Sequence, residues 1–571
     1  MRAVSLAIVL LVVRVLGPAA HEMPAGLWSV PAFLWHDAAV VLFFALFEFN
    51  CRQHTRLVMA GYAVIAVYAV ANIPIERALW SPLTWPMWRA AGGPLADSIR
   101  HYASWSNAGL VIIGLTSILA APFLDRRIPP RPVLAGIAIC ALLGPAAAAR
   151  VDTQGRERNA WTALVSSVMP RTVMVTAPRD WRATDQPSPP AEDLAWLRGT
   201  AAGRNIVLIS LESTAAGYLG LYGSREDVAP NLSQLAQNAV VFDNAYAVYP
   251  ESIKGLFSIL CSRPPAVDMS ADRYASVSCP SIAAELGSRG YRTALFHSGR
   301  FGYLGMEAVV QGRGYGVLAD AGDIGGVHDS SFGIDEPSTI AAILRWIDAG
   351  SAERPFFVTY LPIAGHHPYE TPSRGPFPDR DEFGRYRNAL HYGDAALGDL
   401  IHGLQARGLD QRTLWIILGD HGEAFGQHEG NYGHTFHLFD ENVRVPFVVA
   451  APGLLAHTIR DRRIVSLLDT APTVLDLLGV PAPRQYEGSS MLDGRPRRAL
   501  FFTDYSLMLA GLRDGPRKII SDLRSGRSRW FDVEHDPAEK VDLAARHPEE
   551  TRRYARLLAE WVAVTRADRR R

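Results

Sequence analysis

Lysine is nearly missing from this chain: in 571 residues it occurs only at Lys254, Lys518 and Lys540, every other basic side chain being arginine, so each lysine is worth locating. Cysteine is scarce as well. Cys51, Cys140, Cys261 and Cys279 are too few for a disulfide scaffold and have no zinc-pair spacing. Nor is there an excess of charge of either sign, because 57 Lys and Arg balance 57 Asp and Glu. Without a basic surplus there is no phosphate-tracking surface, and nucleic acid is not an expected partner. Apolar residues are plentiful: at 48% they exclude global disorder and demand a large core, in a chain long enough for roughly four domains of about 150 residues.

Nearly all the long apolar runs fall in the first 150 residues. Five of them, at 4–20, 31–49, 57–75, 108–124 and 132–149, are each near the minimum length for crossing a hydrocarbon layer of about 30 Å, so a helical transmembrane domain with about five spans is expected over 1–150. For the first run the alternative is a cleaved signal peptide: Arg2, the apolar stretch and the small residues Ala19 and Ala20 fit one, although Arg14 interrupts the run. Arg52 and Arg56 follow the second span, and Arg126, Arg127 and Arg131 follow the fourth, which assigns those loops to the cytoplasm. The loop at 21–30 has no Lys or Arg, and 76–107 carries Trp80, Trp85 and Trp88, suited to an outer interface. Five spans, or four after cleavage, both leave residue 150 outside. The expectation is therefore a protein integral to the membrane, multi-pass, with its remainder extracytoplasmic. In that compartment Cys261 and Cys279 can oxidise to a disulfide, or remain two buried thiols.

Residues 151–202 read as a linker, with an amphipathic segment and then the Pro-rich stretch Pro178 to Pro190. Beyond it, Asn205-Ile-Val-Leu-Ile-Ser-Leu-Glu212 and Thr413-Leu-Trp-Ile-Ile-Leu-Gly-Asp420-His421 are apolar, β-branched runs that end in polar residues, the pattern of buried parallel strands. Helical patterns at 230–238, 281–289, 337–348 and 389–407 alternate with such strands. The expected class is therefore α/β, a sheet covered by helices on both faces. Ligands of open sheets sit beyond the carboxyl ends of the strands, where Glu212, Asp420 and His421 emerge. Carboxylates and imidazole suit a divalent cation, Mn²⁺ or Zn²⁺, with Ca²⁺ or Mg²⁺ as further candidates. Taken singly, each of these residues reads equally as a cap or loop salt bridge.

Further segments accumulate. They are Ala229-Pro-Asn-Leu-Ser-Gln-Leu-Ala, Val241-Phe-Asp-Asn-Ala-Tyr, Gly419-Asp-His-Gly-Glu423, His434, Val443-Arg-Val-Pro-Phe447 and Trp530-Phe-Asp-Val-Glu-His-Asp-Pro537, in that order. With Asn205 to Glu212 they make the chain, from about residue 203 to the C-terminus, resemble the sulfatase branch of the alkaline phosphatase superfamily. The resemblance implies an alkaline-phosphatase-like catalytic domain over 203–571, including a C-terminal subdomain from about 485. It also implies metal ligands at Glu212, Asp420 and His421, with the nucleophile as a further ligand.

In sulfatases the nucleophile opens a pattern with Pro or Ala two residues on and Arg four residues on, which directs its oxidation to formylglycine. Here Ser252 stands at the nucleophile position with Lys254 and Leu256 in those places, so an unmodified hydroxyl is expected. Glu212 followed by Ser213, where sulfatases carry adjacent aspartates, is a second departure. Both are closer to the membrane-anchored phosphoglycerol, phosphoethanolamine and lipoteichoic-acid transferases, which also carry about five spans. A serine needs a base or a metal to become a nucleophile near neutral pH. Ser252 opens a helical run whose amides would face an anion, and Lys254 could add charge there; the bland reading has Ser252 as a cap and Lys254 solvated. By resemblance His366, with His367 as second choice, serves the leaving group. His297 and Arg300 orient phosphate or head-group oxygens, unless they are merely loop residues. His434 touches substrate or a second metal, and His428 and His437 are bystanders. The function implied is transfer of a phosphate-linked head group from a membrane lipid donor, through Ser252, to an extracytoplasmic glycan or lipid acceptor at a bacterial-type plasma membrane. A sulfatase-like hydrolase is the alternative, and a non-enzymatic tethered binding module is a third reading.

Overall fold

The computed structural model describes residues 2–18, 23–90, 102–168, 180–184, 186, 192–330, 332–351 and 353–567. Ala19, Ala20 and most of the Pro178 to Pro190 stretch lie outside them. The chain divides into two compact units, Met1–Thr172 with Tyr505–Leu507, and Val173–Asp504 with Met508–Arg571.

In the first unit, four helices among the described residues are long and apolar enough to cross a membrane: Ser29–Asn50, Thr55–Leu79, Trp105–Arg127 and Pro130–Ala148. They match the second to fifth expected spans. Within the expected first span the described helix covers Arg2–Leu16. At 1.5 Å per residue, 15 residues reach about 22 Å, short of a hydrocarbon layer of about 30 Å. Arg14 in that helix is satisfied rather than exposed to an apolar phase: its guanidinium lies 2.6 Å from Asp37 and donates to the Arg156 carbonyl at 2.6 Å. The amphipathic segment expected after residue 150 is the helix Ala160–Val168.

The second unit is built on a mixed sheet. Its strands are β1 (Asn205–Leu211), β2 (Ala239–Tyr246), β3 (Arg292–His297), β4 (Val317–Ala319), β5 (Phe356–Leu361) and β6 (Thr413–Gly419). After a short hairpin of β7 (Ala424–Phe425) and β8 (Tyr432–Gly433) come β9 (Arg444–Val445), β10 (Phe447–Ala450) and β11 (Ile459–Ser466). The order across the sheet is β11-β2-β10-β6-β1-β5-β3-β4, with β9 beside β2. The strands β6, β1, β5, β3 and β4 run parallel, whereas β10 is antiparallel to both neighbours. Alternation along β1 explains its unbroken apolar sequence. Ile206 and Leu208 pack on one face with Leu256, Phe257 and Leu260 of the Ser252–Cys261 helix, while Val207 and Ile209 pack on the other with Ile343, Leu397 and Leu400. Each face is thus covered, and the α/β class expected from the alternating patterns is the fold observed. Helices Pro230–Leu235, Ile282–Gly287, Glu336–Asp348 and Glu382–Gln405 occupy the expected positions.

Beyond residue 485 a four-stranded antiparallel sheet follows, β12 (Ala499–Thr503), β13 (Leu509–Asp514), β14 (Arg517–Asp522) and β15 (Ser528–Asp532), then the helix Pro548–Ala567. Its own core joins Phe502, Leu512, Trp530, Leu558 and Trp561, and Tyr249 from the larger sheet's side enters it.

Cys261 and Cys279, left open between disulfide and thiols, are bonded across 18 residues of sequence, fastening the end of the Ser252–Cys261 helix. Closing a loop of that length restricts the unfolded chain by about 3 kcal/mol. Paired Cys261→Ala and Cys279→Ala substitution should lower stability by about that amount, read as an earlier midpoint in denaturant titration of the detergent-solubilised protein.

Candidate active site

Register brings the first residues together. β1 and β6 are parallel with Leu211 opposite Gly419, so the residues that follow them, Glu212 and Asp420, leave the sheet side by side. The Asp420 amide donates to the Leu211 carbonyl at 3.1 Å, extending the ladder one step past the strands. At the turn Asp420 Oδ1 accepts from the backbone amides of Ser213 (3.0 Å) and His421 (2.7 Å). Ser213 sits in the left-handed region at φ 54°, and its hydroxyl donates to Glu212 Oε1 at 2.8 Å. The serine that replaces a second carboxylate here thus supports the remaining one.

The Ser252–Cys261 helix delivers its first side chain to the same place. Ser252 Oγ donates to Glu212 Oε2 at 2.8 Å and lies 3.0 Å from His421 Nε2. That nitrogen is 3.7 Å from Glu212 Oε1 and 3.6 Å from Asp420 Oδ2. Glu212, Asp420 and His421 are all buried, with one donor atom of each within 4.8 Å of the others. Two buried carboxylates and an imidazole converging on a hydroxyl form a donor set of the kind that holds a divalent cation, and the residues fit one.

Electrostatics agree. Burial acts to raise Glu212, but the nearby imidazoles of His421, His366 and His434, with the bond from the Ser252 hydroxyl, outweigh it and hold the carboxyl below its usual range, so it is ionised. Burial and the Glu212 charge push Asp420 well above the usual carboxylate range. Burial, helped by His434, lowers His421 to about 4, which leaves a neutral imidazole at neutral pH. His421 Nδ1 donates to the Gly422 carbonyl at 3.0 Å, leaving the Nε2 lone pair toward the cluster.

A second group, of buried Glu423 and half-buried His434, adjoins the first. His434 Nδ1 is 2.6 Å from Glu423 Oε2, and its ring centroid is 4.2 Å from that of His421. Although burial opposes it, Glu423 raises His434 to about 9, so Nδ1–H donates to an ionised carboxylate. Tyr369 donates to the other Glu423 oxygen at 2.5 Å. Glu423 and Tyr369 had no assigned role in the sequence. Glu423 was visible within Gly419-Asp-His-Gly-Glu423, but nothing local ties it to a histidine eleven residues later.

The remaining expectations fare unevenly. His366 is brought near: its charge acts on Glu212, its Nδ1 donates to the His367 carbonyl at 2.6 Å, and its ring lies against Phe332 at 4.6 Å and Tyr303 at 5.8 Å between centroids. His297 closes β3, buried, with Nδ1 on the Leu361 carbonyl at 3.0 Å, and burial lowers its pKa. Arg300 is paired with Asp329 and reaches the Ser330 carbonyl at 3.3 Å, rather than any member of the cluster. The anion-facing helix start needs correcting. Glu251, not Ser252, is the cap, and its carboxylate takes the amides of Ile253 and Lys254 at 3.1 Å each, so those two donors are already used. Lys254 is not solvated but pairs with Asp504 at 3.0 Å. His428 bonds Glu441 at 2.7 Å, and His437 is a partly buried ring whose desolvation lowers it to about 4.

Gly365, just before His366, marks a close approach: a Cβ there would collide with the Glu212 carbonyl oxygen. Gly365→Ala should displace the metal-ligand candidate and lower activity by about 10²-fold, with a smaller change in melting temperature than in rate.

The comparisons follow this geometry. The sulfatase family model matches residues 204–480, which contain β1, the Ser252 helix, β6 and every residue of both clusters. Residues 204–480 are similar to the sulfatase family. Among curated relatives, the lipoteichoic acid synthase-like protein YvgJ of Bacillus subtilis is 22% identical over 341 residues, covering 56% of this chain and 54% of that protein. Arylsulfatase K of Bos taurus is 31% identical over 180 residues, covering 28% of this chain and 32% of that one. This chain therefore spans about half the length of the first and a third of the second. Among solved structures, BT4656 in complex with its substrate D-glucosamine-2-N,6-O-disulfate superposes with a TM-score of 0.53 at 16% identity, over 64% of this chain and 98% of that one. At such identity the likeness concerns the fold. The sulfatase-like fold expected from the sequence agrees with these matches.

Proposed function

We propose that this sulfatase-family domain belongs to a membrane-anchored transferase that takes a phosphate-linked head group from a phospholipid onto Ser252 and passes it to an extracytoplasmic glycan or lipid hydroxyl. One observation carries the reading: the hydroxyl of Ser252, a residue outside the formylglycine pattern, lies within hydrogen-bond reach of both Glu212 and His421. The lipoteichoic acid synthase-like relative and the four apolar helices support it. A divalent cation held by Glu212, Asp420, His421 and Ser252 would supply Lewis acidity, lowering the pKa of the hydroxyl and offsetting phosphoryl charge.

The chain's own groups do the rest. Ser252 loses its proton along the bond to Glu212 Oε2 as its Oγ–phosphorus bond forms and the bond to the diacylglycerol oxygen breaks. His366, whose Nδ1 is tied to the His367 carbonyl, gives a proton from Nε2 to that oxygen. The acceptor hydroxyl then attacks phosphorus and returns a proton to His366, while the Ser252 Oγ–phosphorus bond breaks and Oγ takes back the proton held on Glu212 Oε2. His434, held as a cation by Glu423, would offset charge on the phosphoryl oxygens.

Arylsulfatase K, 31% identical over its matched segment, favours a second reading in which water replaces the acceptor. The two separate in one experiment. Full-length protein with Mn²⁺ is incubated with phosphatidylglycerol and phosphatidylethanolamine, and the Ser252 peptide is weighed by mass spectrometry. Transfer predicts a glycerophosphoryl or ethanolamine-phosphoryl adduct. Efficient hydrolysis of an aryl sulfate with no adduct from either lipid would sink the transfer reading.

A further inference from the structure

Two consecutive residues leave β12 of the small sheet, and each holds a different part of the candidate site. Asp504 is buried. Its Oδ1 accepts from Lys254 Nζ at 3.0 Å and from the Tyr249 hydroxyl at 2.8 Å, and its Oδ2 accepts from the Asp268 amide at 2.5 Å. Tyr249 precedes the Ser252–Cys261 helix, Lys254 lies in its first turn and Asp268 follows it, so one carboxylate fastens the helix from both ends. The Lys254 ammonium also lies over the Tyr249 ring, 4.6 Å from its centroid, and the Phe502 amide donates to the Val248 carbonyl at 3.0 Å. Thr503, also buried, donates from Oγ1 to the Thr435 carbonyl at 2.5 Å, one residue beyond His434.

We infer that Thr503 and Asp504 are positioning residues that set the Ser252 hydroxyl and the His434 ring in register, and that Lys254 serves this clamp rather than binding substrate. The inference rests on the reading of Ser252 as nucleophile. The physical reason is that Ser252 and His434 come from segments distant in sequence, whose relative placement the chain between them does not set. Both segments instead bear on the end of one short strand, whose own place is set by its pairing with β13 over five residue pairs from Ala499–Arg513 to Thr503–Leu509. An ion pair between the partly buried Lys254 and the buried Asp504 orients the helix turn, and Ser252 stands two residues from Lys254.

The test uses full-length protein carrying Asp504→Asn, Lys254→Met, both together, or Thr503→Val. The double variant removes both charges at once, so loss of folding through an unpaired ammonium is separated from loss of positioning. Expected are labelling of Ser252 by phosphatidylglycerol slowed by about tenfold or more in each, a double variant no slower than either single one, KM for the lipid within about twofold of wild type, and Mn²⁺ bound about tenfold more weakly. Lys254→Met raising KM while Asp504→Asn changes nothing would make Lys254 a substrate contact and overturn the inference. Unchanged labelling and unchanged Mn²⁺ binding in all four variants overturn it as well. Wild-type protein that binds Mn²⁺ yet never carries label defeats the transfer reading alone, and the Mn²⁺ titrations of the variants then decide the clamp.

Discussion

Ser252→Ala is expected to lower turnover by about three to six orders of magnitude while leaving the fold intact. In this reading the hydroxyl forms the covalent bond to phosphorus, and Glu212 and His421 both lie within hydrogen-bond reach of it. Alanine removes the attacking oxygen and one cation ligand together. The loss is therefore larger than the effect of deleting a group that only orients substrate. Little stability should go with it: the residue is partly exposed, the helix keeps its Glu251 cap, and Ile253, Leu256 and Phe257 still anchor it in the core. Measured kcat with a labelled lipid, beside an unchanged melting curve, checks both halves. Turnover within tenfold of wild type would remove Ser252 from the mechanism.

Lys518→Met should act the other way, on stability first. Lys518 is fully buried on β14 between two carboxylates, 2.7 Å from Asp440 and 2.9 Å from Glu539, and the Asp440 amide also donates to Glu539 at 2.6 Å. Burial and the Asp440 charge already push Glu539 up to about 7, against the pull of Lys518. Removing the cation strands these acids in a low-dielectric site, a loss of about 3–5 kcal/mol. Chemical denaturation of the full chain measures it. Because a buried pair is stranded by loss of one partner rather than by loss of both, adding Asp440→Asn and Glu539→Gln should restore part of the loss. A single variant as stable as wild type would mean the triad is relaxed by water.

Much of this was legible along the chain. The runs 205–211 and 413–419 declared themselves because a strand covered on both faces must be apolar at every position, and their terminal acids followed from where such strands end. Serine at 213 and the Ser252–Lys254–Leu256 spacing were also readable, as departures from a pattern. The first apolar run left its helix end open, since hydropathy measures composition and not where a helix stops. Lys254 misled for a different reason. A lysine beside a nucleophile has the same sequence whether it faces an anion or an aspartate 250 residues away. The cap at Glu251 escaped because glutamate followed by serine reads as a serine cap until backbone angles are known.

By itself the sequence determined the elements, their burial and the types of ligand at their ends, because hydrophobic periodicity and turn chemistry are local. The tertiary structure decided which of those ends meet. Parallel register sets Leu211 against Gly419 and so Glu212 beside Asp420, a helix N-terminus puts Ser252 between them, and the exit of β12 reaches both Lys254 and the neighbour of His434. Such meetings depend on strand order and packing between distant segments, which no local pattern encodes.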